Sequence, residues 1–124
     1  MSVHASVKGV RMSPRKVAVV AALVRGRSVE DAITILNHTP RRSALVVRKV
    51  IESAKANADH NHNFKPDTLQ ITSIHVSTGP SLKRYRPAAM GRALPFQRRS
   101  SHIFVAVDGE QRIAKKPITK KEAK

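Results

Sequence analysis

The stretch GPSLKRYRPAAMGRALPFQRRSSH, Gly79 to His102, holds six arginines and lysines, three prolines, a scatter of apolar side chains and no carboxylate. It repels itself and has no continuous apolar face to bury, so it cannot be the core of a domain. Read as a ribbon folded back on itself, its midpoint falls between Met90 and Gly91, where a turn is easy. That register sets Tyr85 opposite Phe96 as an aromatic cross-strand pair and Lys83 opposite Arg98. Alternation sends Arg84 and Arg86 to one face and Lys83 to the other, with Arg98 and Arg99 split likewise, so both faces are expected to be basic. Pro80, Pro87 and Pro95 lack a ladder donor, which suits an edge-only, two-stranded arm. About 12 residues a side at about 3.3 Å each give a reach of ~40 Å. A ribbon charged all round needs a partner that encloses it, which folded RNA does and a duplex groove does on one side only.

Working outward, the arm is flanked by two β-rich runs, TLQITSIHVSTG (Thr68–Gly79) and SHIFVAVDG (Ser101–Gly109), placed to pair as its base. The apolar phase slips between Ile71 and Ile74, which predicts a bulge there. At the N-terminal end, Val3, Ala5 and Val7 alternate with polar neighbours as in a half-buried strand. Three helices are expected between. The first has Ser13 as cap, Pro14 at the first position, Gly26 as terminator and an apolar face of Val17, Val20, Ala21 and Val24. The second has Ser28 as cap, Asp31 at the capping-box position, and Ile35 and Leu36 inward. The third has Thr39 as cap, Pro40 next, and a stripe of Leu45, Val46, Val50, Ile51 and Ala54.

The helix starts carry an anomaly. A helix N-terminus has partial positive charge, so a cation in the first turn costs about 0.3–1 kcal/mol. The second helix obeys with Glu30 and Asp31. The first and third do not: SPRK puts Arg15 and Lys16, and TPRR puts Arg41 and Arg42, at the start. A phosphate at each start turns the penalty into a gain, because backbone N–H groups and guanidinium forks converge on one anion.

The whole composition agrees. The chain of 124 residues carries a formal net charge of +16, far beyond what solubility needs, and it points to a polyanionic partner. A single domain over residues 1–110 is expected, with the arm at about 79–102 and a flexible basic tail over 111–124. The absence of cysteine excludes disulfides and thiolate zinc sites. No apolar run approaches the roughly 20 residues of a membrane span, and the first residues lack a signal-peptide pattern, so a cytosolic protein is expected. His60–His62 spell HNH, but at a helix end without a carboxylate cluster, so no metal is expected. No phosphate loop, nucleophile elbow or paired carboxylates appear, so neither an enzyme, a cofactor nor a small-molecule substrate is expected. A nucleoid-type DNA-binding protein is the alternative that shares the charge.

MSPRKV, VRGRSVEDAI, ESAKANADHN, GPSLKRYRP, MGRA and RRSSHI, in order and at similar spacing from about Val7 to Val107, resemble the large-subunit ribosomal protein L-twenty-two family in its bacterial or organellar form. The resemblance implies an α+β fold, with three helices packed on a small three-stranded antiparallel sheet and a long protruding β-hairpin arm. It implies a structural constituent of the large ribosomal subunit that binds large-subunit ribosomal RNA, supports its assembly, and lines the peptide exit tunnel. The expected partners are that RNA, neighbouring ribosomal proteins and the nascent peptide, in the cytoplasm or an organelle, with no membrane. Together with the helix starts, the candidate RNA contacts are Lys8, Arg11, Arg15, Lys16, Arg25, Arg27, Arg41, Arg42, Lys83, Arg84, Arg86, Arg92, Arg98, Arg99 and His102. The tunnel-facing tip corresponds to Ala88, Ala89, Met90, Gly91 and Arg92, where AAMGRALPF is less basic and more apolar than the family pattern.

Overall fold

The structure is a computed structural model that describes residues 2–111. Apart from Gln111, the expected basic tail lies outside the described residues. The chain runs β1 (Val3–Val10), α1 (Pro14–Val24), α2 (Val29–His38), α3 (Arg42–His62), β2 (Gln70–Thr78), β3 (Leu82–Pro87), β4 (Ala93–Arg98) and β5 (Ser101–Asp108). The order β1-β5-β2 forms an antiparallel sheet, and β3-β4 forms a separate two-stranded ribbon. This is the α+β architecture expected.

Strand β5 is central because it alternates well and has a partner on each edge. Val3, Ala5 and Val7 face Val107, Val105 and Ile103 on one side, and Ile71, Ile74 and Val76 face Val107, Val105 and Ile103 on the other. These residues form the apolar face of the sheet. Helix α3 lies over β1 and β5, α1 lies over β2, and α2 packs on both helices. Val17, Val20, Ala21 and Val24 of α1 are all buried, as their spacing predicts. With Ile51, Ile74, Ile103, Leu69 and Phe64 they make one core, each large side chain contributing roughly 1.5–3 kcal/mol of transfer free energy. The other face of the sheet has no helix on it and leaves His4, Ser6, His75 and Ser77 exposed.

Both irregularities of the sheet have a cause. The pairing of β2 with β5 shifts between Ile71 and Ser73, the bulge that the phase slip predicts, and Thr72 Oγ1 donates to the Ala106 carbonyl at 3.1 Å there. The pairing of β1 shifts between Val7 and Val10, where Gly9 takes φ 71°, a conformation cheap only for glycine.

Several expectations need correction. Thr39 does not cap α3: it ends α2, its hydroxyl donating back to the Ile35 carbonyl at 2.7 Å, and Arg41 occupies the cap position of α3 with no side-chain bond. Thr39 is held at the end of α2 by that bond and by its N–H donating to the Leu36 carbonyl at 3.3 Å, and the chain turns once more, Arg41 N–H donating to the Thr39 carbonyl at 2.9 Å, before α3 begins. Leu45 is exposed, and the buried stripe of α3 is Ala44, Val47, Val50, Ile51, Ala54 and Ala58. That stripe follows the i, i+3, i+7 spacing with small residues in it, so Leu45 looked inward by hydropathy while its angle on the helix points outward.

The arm is a ribbon, but its register is one residue off that expected. Arg84 pairs with Phe96, Tyr85 with Pro95 and Lys83 with Gln97. The turn holds three residues, Ala89–Gly91, with Met90 at φ 61° and Gly91 at φ 71°, closed by the Ala88 N–H donating to the Arg92 carbonyl at 2.7 Å. The midpoint is therefore Met90 itself. The Tyr85–Phe96 and Lys83–Arg98 pairs do not form, and Phe96 instead lies under the Arg86 guanidinium, 5.5 Å from ring centroid to Cζ. Nor are the faces equally basic. Opposed residues share a face, so Arg84, Arg86 and Arg98 stand with Leu82, Leu94 and Phe96, while Lys83 stands with Tyr85, Gln97 and Pro95. Each strand of the ladder is six residues, half the expected run, because Pro80 and the segment around Ser100 interrupt pairing at the root.

No arm residue belongs to the core, so excising Leu82–Arg98 and closing the gap with Asn-Gly is expected to keep a cooperative melt within ~1 kcal/mol of the parent. Ile103→Ala, by contrast, truncates a fully buried side chain and should cost ~2–5 kcal/mol. Thermal and urea unfolding of both variants beside the parent checks the pair.

Candidate nucleic-acid interface

Three parts of the chain that are far apart in sequence meet where the arm leaves the body. Strand β1 ends opposite Ser101, and α1 begins three residues after Arg11. Helix α3, lying across β1 and β5, starts at the same end of the sheet. The result is a cleft of about 830 Å³ lined by Arg11, Lys16, Arg41, Arg42, Arg98 and Arg99, with Met12, Pro80 and Leu82 as apolar parts of its wall. A second hollow beside it, of about 480 Å³, is lined by Ser13, Pro14, Arg15, Thr78 and Arg99. No carboxylate lines either, and none of these cations forms an ion pair with another described residue.

The helix starts sharpen this. Arg15 and Lys16 sit at the second and third positions of α1, and Arg41 and Arg42 at the cap and first position of α3, with no acid in either first turn. Ser13 has cap geometry but its hydroxyl makes no cap bond, unlike Ser28, which accepts from the Asp31 N–H at 3.3 Å. Pro14 has no N–H, and the Lys16 and Ala44 N–H groups donate to the Ser13 and Arg41 carbonyls at 3.1 and 3.2 Å, so the first-turn donors left for an anion are those of Arg15, Arg42 and Ser43. The cleft thus gathers helix N-termini, guanidinium forks and the Ser13 hydroxyl around one space, a donor set that suits phosphate oxygens.

Of the fifteen cationic and histidine positions expected, the structure therefore brings seven to the arm root: Arg11, Arg15, Lys16, Arg41, Arg42, Arg98 and Arg99. Lys83, Arg84, Arg86 and Arg92 extend along the exposed ribbon to its tip, where Met90 is 97% exposed. Lys8 is exposed at the end of β1. Three others hold structure. The Arg25 guanidinium donates to the Ile74 carbonyl at 3.1 Å, tying the end of α1 to β2, and Arg27 donates from Nε to Leu23 at 3.1 Å. His102 is on the open face of the sheet, where its Nδ1 accepts the Gly9 N–H at 3.1 Å and so leaves the ring proton on Nε2. Met12, Pro80 and Leu82 were missed in the sequence, because only the topology brings them together.

Among the described residues no group of three or more His, Asp or Glu is arranged to hold a metal, and no helix is long and apolar enough to cross a membrane.

A cationic cleft at the root of a cationic arm, with no arm residue in the core of the body, defines a nucleic-acid-binding α+β protein. The family model described as ribosomal protein L22p/L17e matches residues 5–108, and the chain belongs to that family. Membership makes it a structural constituent of the large ribosomal subunit that binds ribosomal RNA beside other ribosomal proteins and serves translation; its location is the ribosome. The nucleoid-type alternative finds no support in that membership, and proteins of this family are in general not enzymes.

Arg42→Glu should leave the isolated protein as stable, or more stable by ~0.3–1 kcal/mol, because the helix dipole prefers the acid. The same change should weaken binding to ribosomal RNA. Melting curves and titrations of one preparation test both halves, and a lost fold would mean that the guanidinium is structural.

Proposed function

We propose that the arm-root cleft is the main phosphate clamp of the protein and that the arm threads from it through folded large-subunit RNA toward the peptide exit tunnel. The observation that carries this is the convergence of two cation-bearing helix starts with Arg98 and Arg99 at the point where the ribbon departs. A clamp there neutralises the most self-repulsive part of the molecule and fixes the direction of the ribbon. The exposed tip, Ala88 to Arg92, then faces the tunnel and the nascent peptide, with Met90 as its most projecting apolar side chain.

On this reading the protein acts in assembly by joining RNA segments that its cleft and its arm contact separately. The single domain spans residues 1–110, the ribbon being an appendage of it, and the lysine-rich residues 111–124 add charge to the same task.

Binding to large-subunit RNA should fall steeply with salt, with a log–log slope that reflects roughly 6–10 neutralised phosphates. The protein shortened by Leu82–Arg98 should still bind, more weakly and with a smaller slope, since it keeps the helix starts. Filter binding over a salt series measures this, and a nearly flat dependence for the full chain would sink the clamp.

A further inference from the structure

The open face of the sheet carries a group of rings that the cleft does not use. His75 of β2 lies opposite Phe104 of β5 on it, and His4 of β1, opposite Ala106, lies diagonally from Phe104, so the three rings span three neighbouring strands. The His4 and Phe104 centroids are 5.2 Å apart at 34°, and those of His75 and Phe104 are 6.2 Å apart at 23°. Both histidines are exposed, and Phe104 is partly buried between them. In a chain with three Phe, one Tyr and no Trp, a Phe at the centre of a solvent-facing sheet is a costly placement.

We propose that this row is a stacking platform for unpaired RNA bases, a second RNA site distinct from the arm-root cleft; it rests on the reading of the cleft as an RNA clamp. Flat rings at strand spacing offer stacking surfaces to successive bases, and stacking does not depend on base identity. The imidazole N–H groups, with the hydroxyls of Ser6 and Ser77 on the same face, supply donors for the sugar hydroxyls beside a stacked base. The carboxylate at the far end, Asp108, accepts the Gly109 N–H at 2.8 Å and is occupied within its own turn. Continuity links the two sites. His102 follows on the same face of β5 and accepts from Gly9, and Gly9 lines the cleft, so a strand leaving the clamp passes directly onto the rings.

The test uses the full chain, with a short oligoadenylate and a large-subunit RNA fragment as probes over a salt series. Phe104→Thr combined with His75→Thr removes two rings but keeps β-branched residues in the strands. Affinity for both probes should drop about tenfold at every salt concentration, with the slope unchanged, because stacking is lost and no phosphate contact is. His4→Ser with His75→Ser, both at exposed positions, carries the same expectation should the first variant melt early. Restoring aromaticity with Phe104→Tyr should restore binding. Unchanged affinity overturns the platform, and so does a loss accompanied by a smaller slope. A variant that binds RNA like the parent but fails to enter ribosomal particles would assign the face to a protein neighbour instead and equally overturns it. A parent that shows no salt-dependent binding would fault the clamp, an outcome distinct from a normal parent with an indifferent ring variant.

Discussion

Everything in this protein hangs on β5 being hydrogen-bonded along both edges. Its pairing with β1 joins Val3 to Val107, across almost the whole described chain, and its pairing with β2 closes the base of the arm. Such distant contacts are entropically expensive to form, and they are offset by the full burial of Ile103, Val105 and Val107 between the two partner strands and the helices. The register then dictates the rest. Val10 and Thr78 both meet Ser101, so the end of β1, the start of α1 and the root of the arm fall at one place. The cleft is a consequence of that register.

Charge and core are kept apart, and this lets a chain of net charge +16 fold at all. The core is built from valine, isoleucine, alanine, leucine and Phe64 under the helices, while the cleft and the ribbon carry cations with no neutralising neighbour lining them. Repulsion among them opposes folding only weakly in water, since exposed charges interact through a high dielectric and are screened within about 10 Å at moderate salt. The ion pairs Arg48–Glu52 at 3.6 Å, half-buried on the Arg48 side, and Lys65–Glu110 at 3.9 Å, exposed, lie away from the cleft and neutralise none of its cations. Stability therefore comes from the body, while the cationic surface is left free for an anion.

How much of this was legible before the structure depended on whether the signal was local. The α1 face, the Ser28 cap and the bulge near Ile71 were readable because spacing and capping chemistry act within a few residues. The arm was readable as an arm because nothing else tolerates six cations, three prolines and no acid. Its register was not: a turn centred on Met90 rather than beside it depends on a non-glycine residue entering the left-handed region, which composition does not announce. Thr39 misled because Ser/Thr-Pro is a good start signal, yet its hydroxyl found the Ile35 carbonyl first. Six cations at the arm root were named from local anomalies of the helix starts and the arm, and Arg11 with the resemblance, but their meeting around the cleft and the hollow beside it, and the structural duties of Arg25 and His102, follow from long-range pairing that one sequence does not display.

The root decides what the ribbon can do. The Gly79 N–H donates to the Ser100 carbonyl at 2.9 Å, and the Ser100 hydroxyl donates to the Pro80 carbonyl. A Cβ on Gly79 would lie 2.6 Å from Ser100 Oγ and 3.2 Å from the His102 ring, so a larger residue would have to displace the Ser100 hydroxyl from the Pro80 carbonyl. Beyond it the ladder breaks at Pro80 and resumes at Leu82 in a register displaced by one residue. The ribbon is thus attached through a short pinned segment rather than as an unbroken extension of β2 and β5, and its angle to the body is set there. Because Pro80, Leu82, Arg98 and Arg99 are also walls of the cleft, an anion held in it bears on the same segment. On the proposed reading, clamping RNA at the root and aiming the arm are for this reason one event: the contacts that would supply affinity also bear on the segment that sets the angle of the ribbon.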